Sequence, residues 1–433
     1  MPNIRKIVKK IIPRKLFKNI EPYGHFAEAI LANIRYGFPS RKMHVIGITG
    51  TNGKTTTTFL IHRMLLEAGY KVGMQSTVAY GVGDDIKPQI KHMTTEKAGI
   101  LQRRLRDFKR AGVEWVVLEV SSHSLAQRRN WGPPYEIAVM TNVTHEHLDY
   151  HGTFENYLNA KIGLFKMASK NGRKFGVVNA DDPNSTNFSS NISRSVSYGV
   201  KSGDLKATAI KLATDHSTYK VAVGDDSYDI RINIPGDFNV SNSLAAVAVG
   251  REIGLSKKQI EDGIAALKSV EGRMAIVDEG QKFKVIIDFA STPDAFEKVF
   301  KNVRPTTKGK MIVLFGSAGR RDESKRFIQG RIAGKYADEV IVTEEDDRDI
   351  DGAKILQQIA EGAEKAGKVI DKNLFLIHDR EKAINFAISR AKSSNDTVVL
   401  LGKGHEKTIE RVNGVDSWDE AKVAKKAIKS LKI

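Results

Sequence analysis

From Met43 onward, short apolar runs alternate with longer stretches of helical spacing. "HVIGIT" (44–49) is β-rich, glycines follow it, and "TTTTFLIHRMLLEAGY" (55–70) reads as a helix. "WVVLEV" (115–120), "IAVMTNV" (137–143) and "FGVVNA" (175–180) are further buried-strand candidates, each ending in polar residues. Helical segments separate them. This is the rhythm of a parallel sheet with crossover helices, whose functional edge lies at the carboxyl ends of the strands. A second series starts near Met274: "FKVIIDFA", "MIVLFGSAG", "EVIVTEED", "NLFLIHD" and "TVVLLGKG". The expected organisation is therefore a basic N-terminal segment (1–42), a central domain (43–271) and a C-terminal domain (272–433).

The first 42 residues differ from the rest. They hold ten Lys or Arg against two Glu. Ile4, Ile7, Val8, Ile11 and Ile12 fall at helical spacing with basic residues between them, and Pro13 interrupts the pattern. One reading is a short helix docked on the body with a solvated basic face; the other lays that helix on an anionic membrane surface.

Composition narrows the classes. With 433 residues, two or three domains of ordinary size are expected, and 41% hydrophobic residues can build a core. No cysteine is present, which excludes disulfides and zinc–thiolate sites and suits a reducing cytoplasm, the expected location. No run of 18 apolar residues occurs, and the N-terminus lacks a signal peptide's apolar core. The net charge of +18 suits nucleic acid, an anionic surface or acidic substrates without choosing among them.

"GITGTNGKTTTT" (47–58) carries the first chemistry. The usual phosphate-loop spacing needs a glycine six residues before the lysine, and position 48 is Ile. Strand, glycine-rich turn and helix are nevertheless the right context. Gly47, Gly50 and Gly53 let backbone N–H groups approach phosphate oxygens, and the helix N-terminus adds its positive dipole end. Lys54 supplies a point charge for the β- and γ-phosphates, and the Thr55 hydroxyl suits magnesium. ATP is thus expected along Gly50, Thr51, Asn52, Gly53, Lys54, Thr55 and Thr56. Glu119 ends the run "WVVLE", His147 follows the next strand, and Lys161 lies on a helix in "YLNAK". A carboxylate and an imidazole beside a triphosphate can hold a second divalent metal. Singly, each is an ordinary surface residue.

Together and in this order they resemble the Mur ligase family, the ATP-dependent amide-forming enzymes of peptidoglycan synthesis, and most closely its branch that adds the third amino acid. The resemblance runs from about Lys42 to the C-terminus through "GITGTNGKTTTT", "EVSSHSLAQRR", "HEHLDYHG", "GDFNVSNSLAA", "EGRM", "DFASTPDAFE", "GRRDESKR" and "GKGHE". It implies an α/β fold: a central parallel-sheet P-loop ATPase domain followed by a Rossmann-like domain. It implies Lys54, Glu119, His147 and Lys161 as catalytic residues, and Thr55, Glu119, His147 and carbamylated Lys161 as ligands of Mg2+. Asn239, Arg273 and Asp288 would meet ATP from the far side of a cleft. Thr94, Thr95, Ser121, Gln127 and Arg129 would contact a nucleotide-sugar peptide. Arg321, Arg348, Gly402 and Glu406 would grip the incoming amino acid. The implied partners are small molecules rather than nucleic acid.

Three features depart from the family pattern. Only about forty residues precede the loop, where the family carries an N-terminal domain holding the uridine nucleotide. Ser291 in "DFASTP" stands where the pattern has histidine. The amino-acid motif reads Glu345-Asp346-Asp347-Arg348 instead of D-N-P-R, which leans towards a diamino acid, lysine or diaminopimelate. Alternatives are another acid–amino-acid ligase, of the muropeptide-recycling or folylpolyglutamate type, or a non-catalytic ATP-binding protein.

Overall fold

The computed structural model describes residues 14–90, 93–213, 215–224 and 226–431. The expected helix over residues 4–12 lies outside these. The chain forms two compact units. The first comprises residues up to 209 with 219–230 and 241–266, and the second 210–218, 231–240 and 267–433.

The first unit opens with helix α1 (Arg14–Tyr36), which packs small residues, Ala29 and Ala32, against Ala98 and Trp131. Strand β1 (His44–Thr49) follows and is buried from Val45 onward. The glycine loop turns the chain into α2 (Lys54–Glu67), capped by Gly53 at φ 84°. This helix is buried on more than one side, and Gly263 lets a neighbouring helix approach: a Cβ there would lie 2.6 Å from the Met64 Cα.

The larger sheet has eleven strands. After β1 come β2 (Val72–Gln75), β3 (Ala79–Val82), β4 (Asp85–Pro88), β5 (Trp115–Glu119), β6 (Tyr135–Met140), β7 (Phe175–Asn179), β8 (Arg194–Gly199), β9 (Leu205–Leu212), β10 (Ser217–Val223) and β11 (Asp226–Ile232). Their order is β11-β10-β9-β8-β7-β6-β1-β5-β2-β3-β4. β1 lies parallel between β5 and β6, so the ends of all three strands meet at one edge. The helices that serve this edge are α3 (Ala98–Arg110), α4 (Ser122–Ala126), α5 (Leu148–His151) and α6 (Phe154–Ala168). The parallel core matches the apolar runs. The flanks do not: β3 and β4 pair antiparallel and are only four residues each, too short to stand out, and β4 is also polar. β9–β11 bury alternate residues over much of their length, a period-2 signal weaker than a continuous apolar run.

The second unit has a six-stranded sheet in the order β12-β13-β17-β14-β15-β16. Its members are β12 (Ala275–Ile276), β13 (Lys284–Asp288), β14 (Met311–Phe315), β15 (Glu339–Val342), β16 (Leu374–Leu376) and β17 (Thr397–Leu401). All pairs are parallel except β12 with β13. The hairpin β18 (Thr408–Arg411) and β19 (Gly414–Ser417) completes it. Arg380 and Glu420, both fully buried, form a bidentate pair inside this unit.

Candidate active site

In the first unit the edge formed by β1, β5 and β6 gathers the loop and its neighbours. Gly50 takes φ 146°, and a Cβ there would stand 1.9 Å from the Thr141 Oγ1, so only glycine fits. Asn142, just past β6, holds the loop. Its Oδ1 accepts from the Asn52 N–H at 2.9 Å and its Nδ2 donates to the Asn52 carbonyl at 3.0 Å. The Thr51 N–H donates to the Asn142 carbonyl at 2.7 Å. The hydroxyls of Thr51 and Tyr157 meet at 2.9 Å. The loop is thus pre-shaped, and the first amides of α2 open towards whatever it cradles.

Lys54 folds its ammonium over this loop, donating to the carbonyls of Gly50 at 3.0 Å and Thr51 at 2.7 Å. Lys161, buried on α6, donates to the same Gly50 carbonyl. Burial pushes the Lys161 amine well below the ordinary lysine range, and the neighbouring Lys54 charge pushes the same way.

Glu119, buried at the end of β5, accepts three hydrogen bonds. The Thr55 hydroxyl donates to Oε2 at 3.0 Å. Thr77 donates twice, its N–H to Oε2 at 2.8 Å and its hydroxyl to Oε1 at 2.8 Å. Thr94 Oγ1 lies 3.0 Å from Thr77 Oγ1 and, with the Thr77 proton given to Glu119, is the donor of that pair. Thr95 ties the next turn: its hydroxyl donates to the Glu119 carbonyl and accepts from the Ser121 N–H. Arg129 donates to the carbonyls of Thr95 and Glu96 and to Gln127 Oε1, which clasps the loops together. His147 takes a left-handed conformation at φ 57°. Its ring stands 4.7 Å from that of His123 and 6.1 Å from that of Tyr157.

In the second unit, Asp288 ends β13 and accepts from the N–H groups of Met274 and Ala290, each at 2.8 Å. Its burial pushes its carboxyl up, with Arg273 pulling the other way. The Arg273 guanidinium stacks over Phe289 at 4.7 Å. Asn239 is buried and donates to the Pro235 carbonyl at 2.8 Å. Arg348, at φ 58°, donates to Glu410 Oε2 at 2.7 Å and the Gly319 carbonyl at 2.6 Å. Lys403, buried, bridges Asp346 at 2.9 Å and Glu406 at 2.6 Å. Glu345 packs against Gly402, where a Cβ would meet its carboxylate at 2.7 Å. Arg321 is exposed. Glu344, Asp347 and His378 also cluster, but this group is internally balanced: Arg411 binds both oxygens of Glu344 at 2.7 Å, and His378 meets Asp347 at 2.6 Å.

Comparison with known proteins decides what this arrangement belongs to. Residues 48–250 match the Mur ligase middle domain, and residues 272–404 match the Mur ligase, glutamate ligase domain. The UDP-N-acetylmuramyl-tripeptide synthetase of Roseiflexus sp. (strain RS-1) is 41% identical over 424 residues, 95% of this chain and 83% of that protein.

The chain belongs to the Mur ligase family.

A second relative is the UDP-N-acetylmuramoyl-L-alanyl-D-glutamate–2,6-diaminopimelate ligase of Geobacillus thermodenitrificans, 39% identical over 95% of this chain and 84% of that protein. Among solved structures, a UDP-N-acetylmuramoyl-L-alanyl-D-glutamate–2,6-diaminopimelate ligase matches with a TM-score of 0.65 at 27% identity, over 96% of this chain and 83% of that one. A Mycobacterium tuberculosis folylpolyglutamate synthase complexed with ADP reaches a TM-score of 0.74 over 99% and 97%, but at 15% identity, which is a likeness of fold. As a Mur ligase the chain is an ATP-dependent, ADP-forming amide ligase of peptidoglycan precursor synthesis.

Of the expected residues, the structure joins Gly50, Thr51, Lys54 and Lys161 through hydrogen bonds to the loop carbonyls, joins Thr55 to Glu119, and links Thr94, Thr95, Ser121, Gln127 and Arg129 to Glu119 through Thr77 and the Glu119 carbonyl. His147 stands to one side with His123 and Tyr157. Thr77, Asn142 and Tyr157 were not anticipated. Asn142 lies inside the run "IAVMTNV", two residues past the end of β6, and Tyr157 precedes Lys161 by four residues, both readable signals; Thr77 sits in a turn without one.

Proposed function

We propose that this Mur ligase joins an amino acid, most readily a diamino acid, to the free carboxylate of a UDP-linked muramoyl peptide. The acceptor carboxylate attacks the γ-phosphorus of ATP, and ADP leaves. The amine then attacks the resulting acyl phosphate, phosphate departs from the tetrahedral intermediate, and the nitrogen loses a proton. Lys54 at the loop mouth offsets repulsion between carboxylate and γ-phosphate. The loop amides orient the phosphates, while Thr94, Thr95, Ser121, Gln127 and Arg129 bind the acceptor peptide nucleotide. Asn239, Arg273 and Asp288 serve the nucleotide, and Arg321, Arg348, Gly402 and Glu406 the amino acid. The reading is carried by the joined group Lys54–Gly50–Lys161 beside Thr55–Glu119, in a chain 41% identical to a tripeptide synthetase.

The donor set suits magnesium. Thr55 and Glu119, in contact at 3.0 Å, would present the oxygen atoms a hard cation takes, and His147 would be the further ligand that the family pattern implies. Lys161 fits only after chemical change. Two amines share the Gly50 carbonyl, and burial holds Lys161 towards its neutral, nucleophilic form. Its Nζ can add to CO2, losing a proton and gaining a carbamate that would supply oxygen donors. Bound Mg2+ would screen the charge gathered during phosphoryl transfer.

The decisive assay supplies ATP, Mg2+, the UDP-linked muramoyl dipeptide and a panel of amino acids. ADP and phosphate should appear only when acceptor and a diamino acid are both present, and Lys54→Ala should abolish their release. Turnover with a folate acceptor alone, or undiminished turnover by Lys54→Ala, overturns the reading.

A further inference from the structure

Strands β17, β14 and β15 lie side by side and parallel, so the loops that leave them meet at one edge of the second sheet. Ligand sites of open parallel sheets form at such an edge. The loop after β14 carries Gly319, the loop after β15 carries Glu345, Asp346 and Arg348, and the loop after β17 carries Gly402 and Lys403.

The cations at this edge are already engaged. Arg348 spends all of its guanidinium nitrogens inside the protein. Nε donates to Glu410 Oε2 at 2.7 Å, Nη1 donates to the Gly319 carbonyl at 2.6 Å, and Nη2 stands 3.8 Å from Asp346. Glu410 is not a loose surface carboxylate. Its N–H donates to Asp346 Oδ1 at 2.9 Å and its carbonyl accepts from the Arg348 N–H at 3.0 Å, which stitches β18 to the loop. Lys403 is divided between Asp346 and Glu406. Lys325, the other cation whose charge reaches Glu345, donates to the Ser291 carbonyl at 3.0 Å.

Glu345 is the exception. It is 7% exposed, and its carboxylate makes no hydrogen bond or ion pair among the described residues. Its Oε2 lies against Gly402, where a Cβ would approach to 2.7 Å. Burial pushes its carboxyl up, with Lys325 and Lys403 pulling the other way. A buried carboxylate without a partner is costly until a cation arrives. Glu345, Asp346, Glu406 and Glu410 together outnumber Arg348 and Lys403. An incoming ammonium corrects that imbalance. An incoming carboxylate deepens it, and has first to displace Glu410 from Arg348.

We infer, resting on the ligase function proposed above, that the amino acid joined is one whose side chain ends in a single ammonium group, as in L-lysine. Glu345 receives that ammonium. Glu410, by holding Arg348, disfavours the second carboxylate of diaminopimelate. Exposed Arg321, two residues past Gly319, remains for the α-carboxylate.

The test compares L-lysine, L-norleucine and meso-diaminopimelate as substrates of the full chain with ATP, Mg2+ and the UDP-linked muramoyl dipeptide. L-Lysine should exceed each of the others in kcat/KM at least about tenfold, since norleucine lacks the charged contact and diaminopimelate meets an occupied arginine. Glu345→Gln should cut the preference for L-lysine over L-norleucine at least about tenfold, chiefly through KM. Glu410→Gln should raise diaminopimelate relative to L-lysine about tenfold. Glu410 lies on the hairpin, so this variant reads the proposal even where Glu345→Gln does not fold. Equal or faster use of diaminopimelate by the wild type, or a ratio that Glu410→Gln leaves unmoved, overturns the proposal and leaves the ligase function intact. Calorimetry of the three amino acids, with a non-hydrolysable ATP analogue and the acceptor present, separates the two. L-Lysine bound in preference but never ligated would support this site while removing the ligase function; diaminopimelate bound in preference would remove the site assigned here.

Discussion

The hydroxyl of Thr55 donates to the Glu119 carboxylate at 3.0 Å, so the first turn after the glycine loop and the end of a neighbouring strand share one hydrogen bond. Thr77 donates to both oxygens of the same carboxylate. Glu119 is thereby held in one rotamer beside the glycine loop.

Glu119→Gln keeps the shape and removes the charge. Ligation should fall at least about a hundredfold, as for loss of a preorganised electrostatic group. Thr77→Val should cost less, about tenfold, because it frees the carboxylate without discharging it. Initial rates across a magnesium titration check both; an unaltered Glu119→Gln rate would exclude this carboxylate from the chemistry.

Gly50 and Gly69 separate two kinds of glycine. Gly50→Ala drives a Cβ into Thr141, and the fold should lose more than about 2 kcal/mol. Gly69, at φ 94° with open space around it, should lose only about 1 kcal/mol on the same change. Urea denaturation of the two variants gives the comparison.

His62 makes the fold acid-sensitive. Burial in α2 lowers its pKa from 6.5 to about 4. Between those values the unfolded chain binds the proton and the folded chain does not, so stability drops as pH falls through this window, by up to about 3 kcal/mol. His62→Gln should flatten the profile of melting temperature between pH 7 and pH 4. A slope unchanged by the substitution would place the acid sensitivity elsewhere.

Arg380→Met should strip Glu420 of its buried partner and cost about 3–5 kcal/mol. Glu420→Gln should cost less, because an acceptor remains for Arg380 and for the Trp418 Nε1, which donates at 2.7 Å. Chemical denaturation distinguishes the two; equal losses would show that the charge of the pair is immaterial.

Much of the parallel core was legible. The ten apolar runs coincide with strands β1, β5–β7 and β13–β17 and with helix α2, because a strand buried on both faces must be apolar along its length. The flanking strands were not, since half-buried or four-residue strands give too little signal. The candidate site was legible where chemistry is local: Gly50, Gly53, Lys54 and Thr55 lie within six residues, at the loop and the start of α2. Thr77, Asn142 and Tyr157 were not, because their partners lie 42, 90 and 106 residues away along the chain.

By itself the sequence determined the class of this protein, its two α/β series and the glycine-rich turn between its first strand and helix, for these follow from short-range spacing and from residue types that few chemistries use together. Only the tertiary structure decided which side chains restrain Glu119, that Lys54 and Lys161 share one carbonyl, and that Glu410 occupies Arg348. Those relationships depend on strand register and on the burial that neighbouring elements impose, and both arise only when distant segments pack.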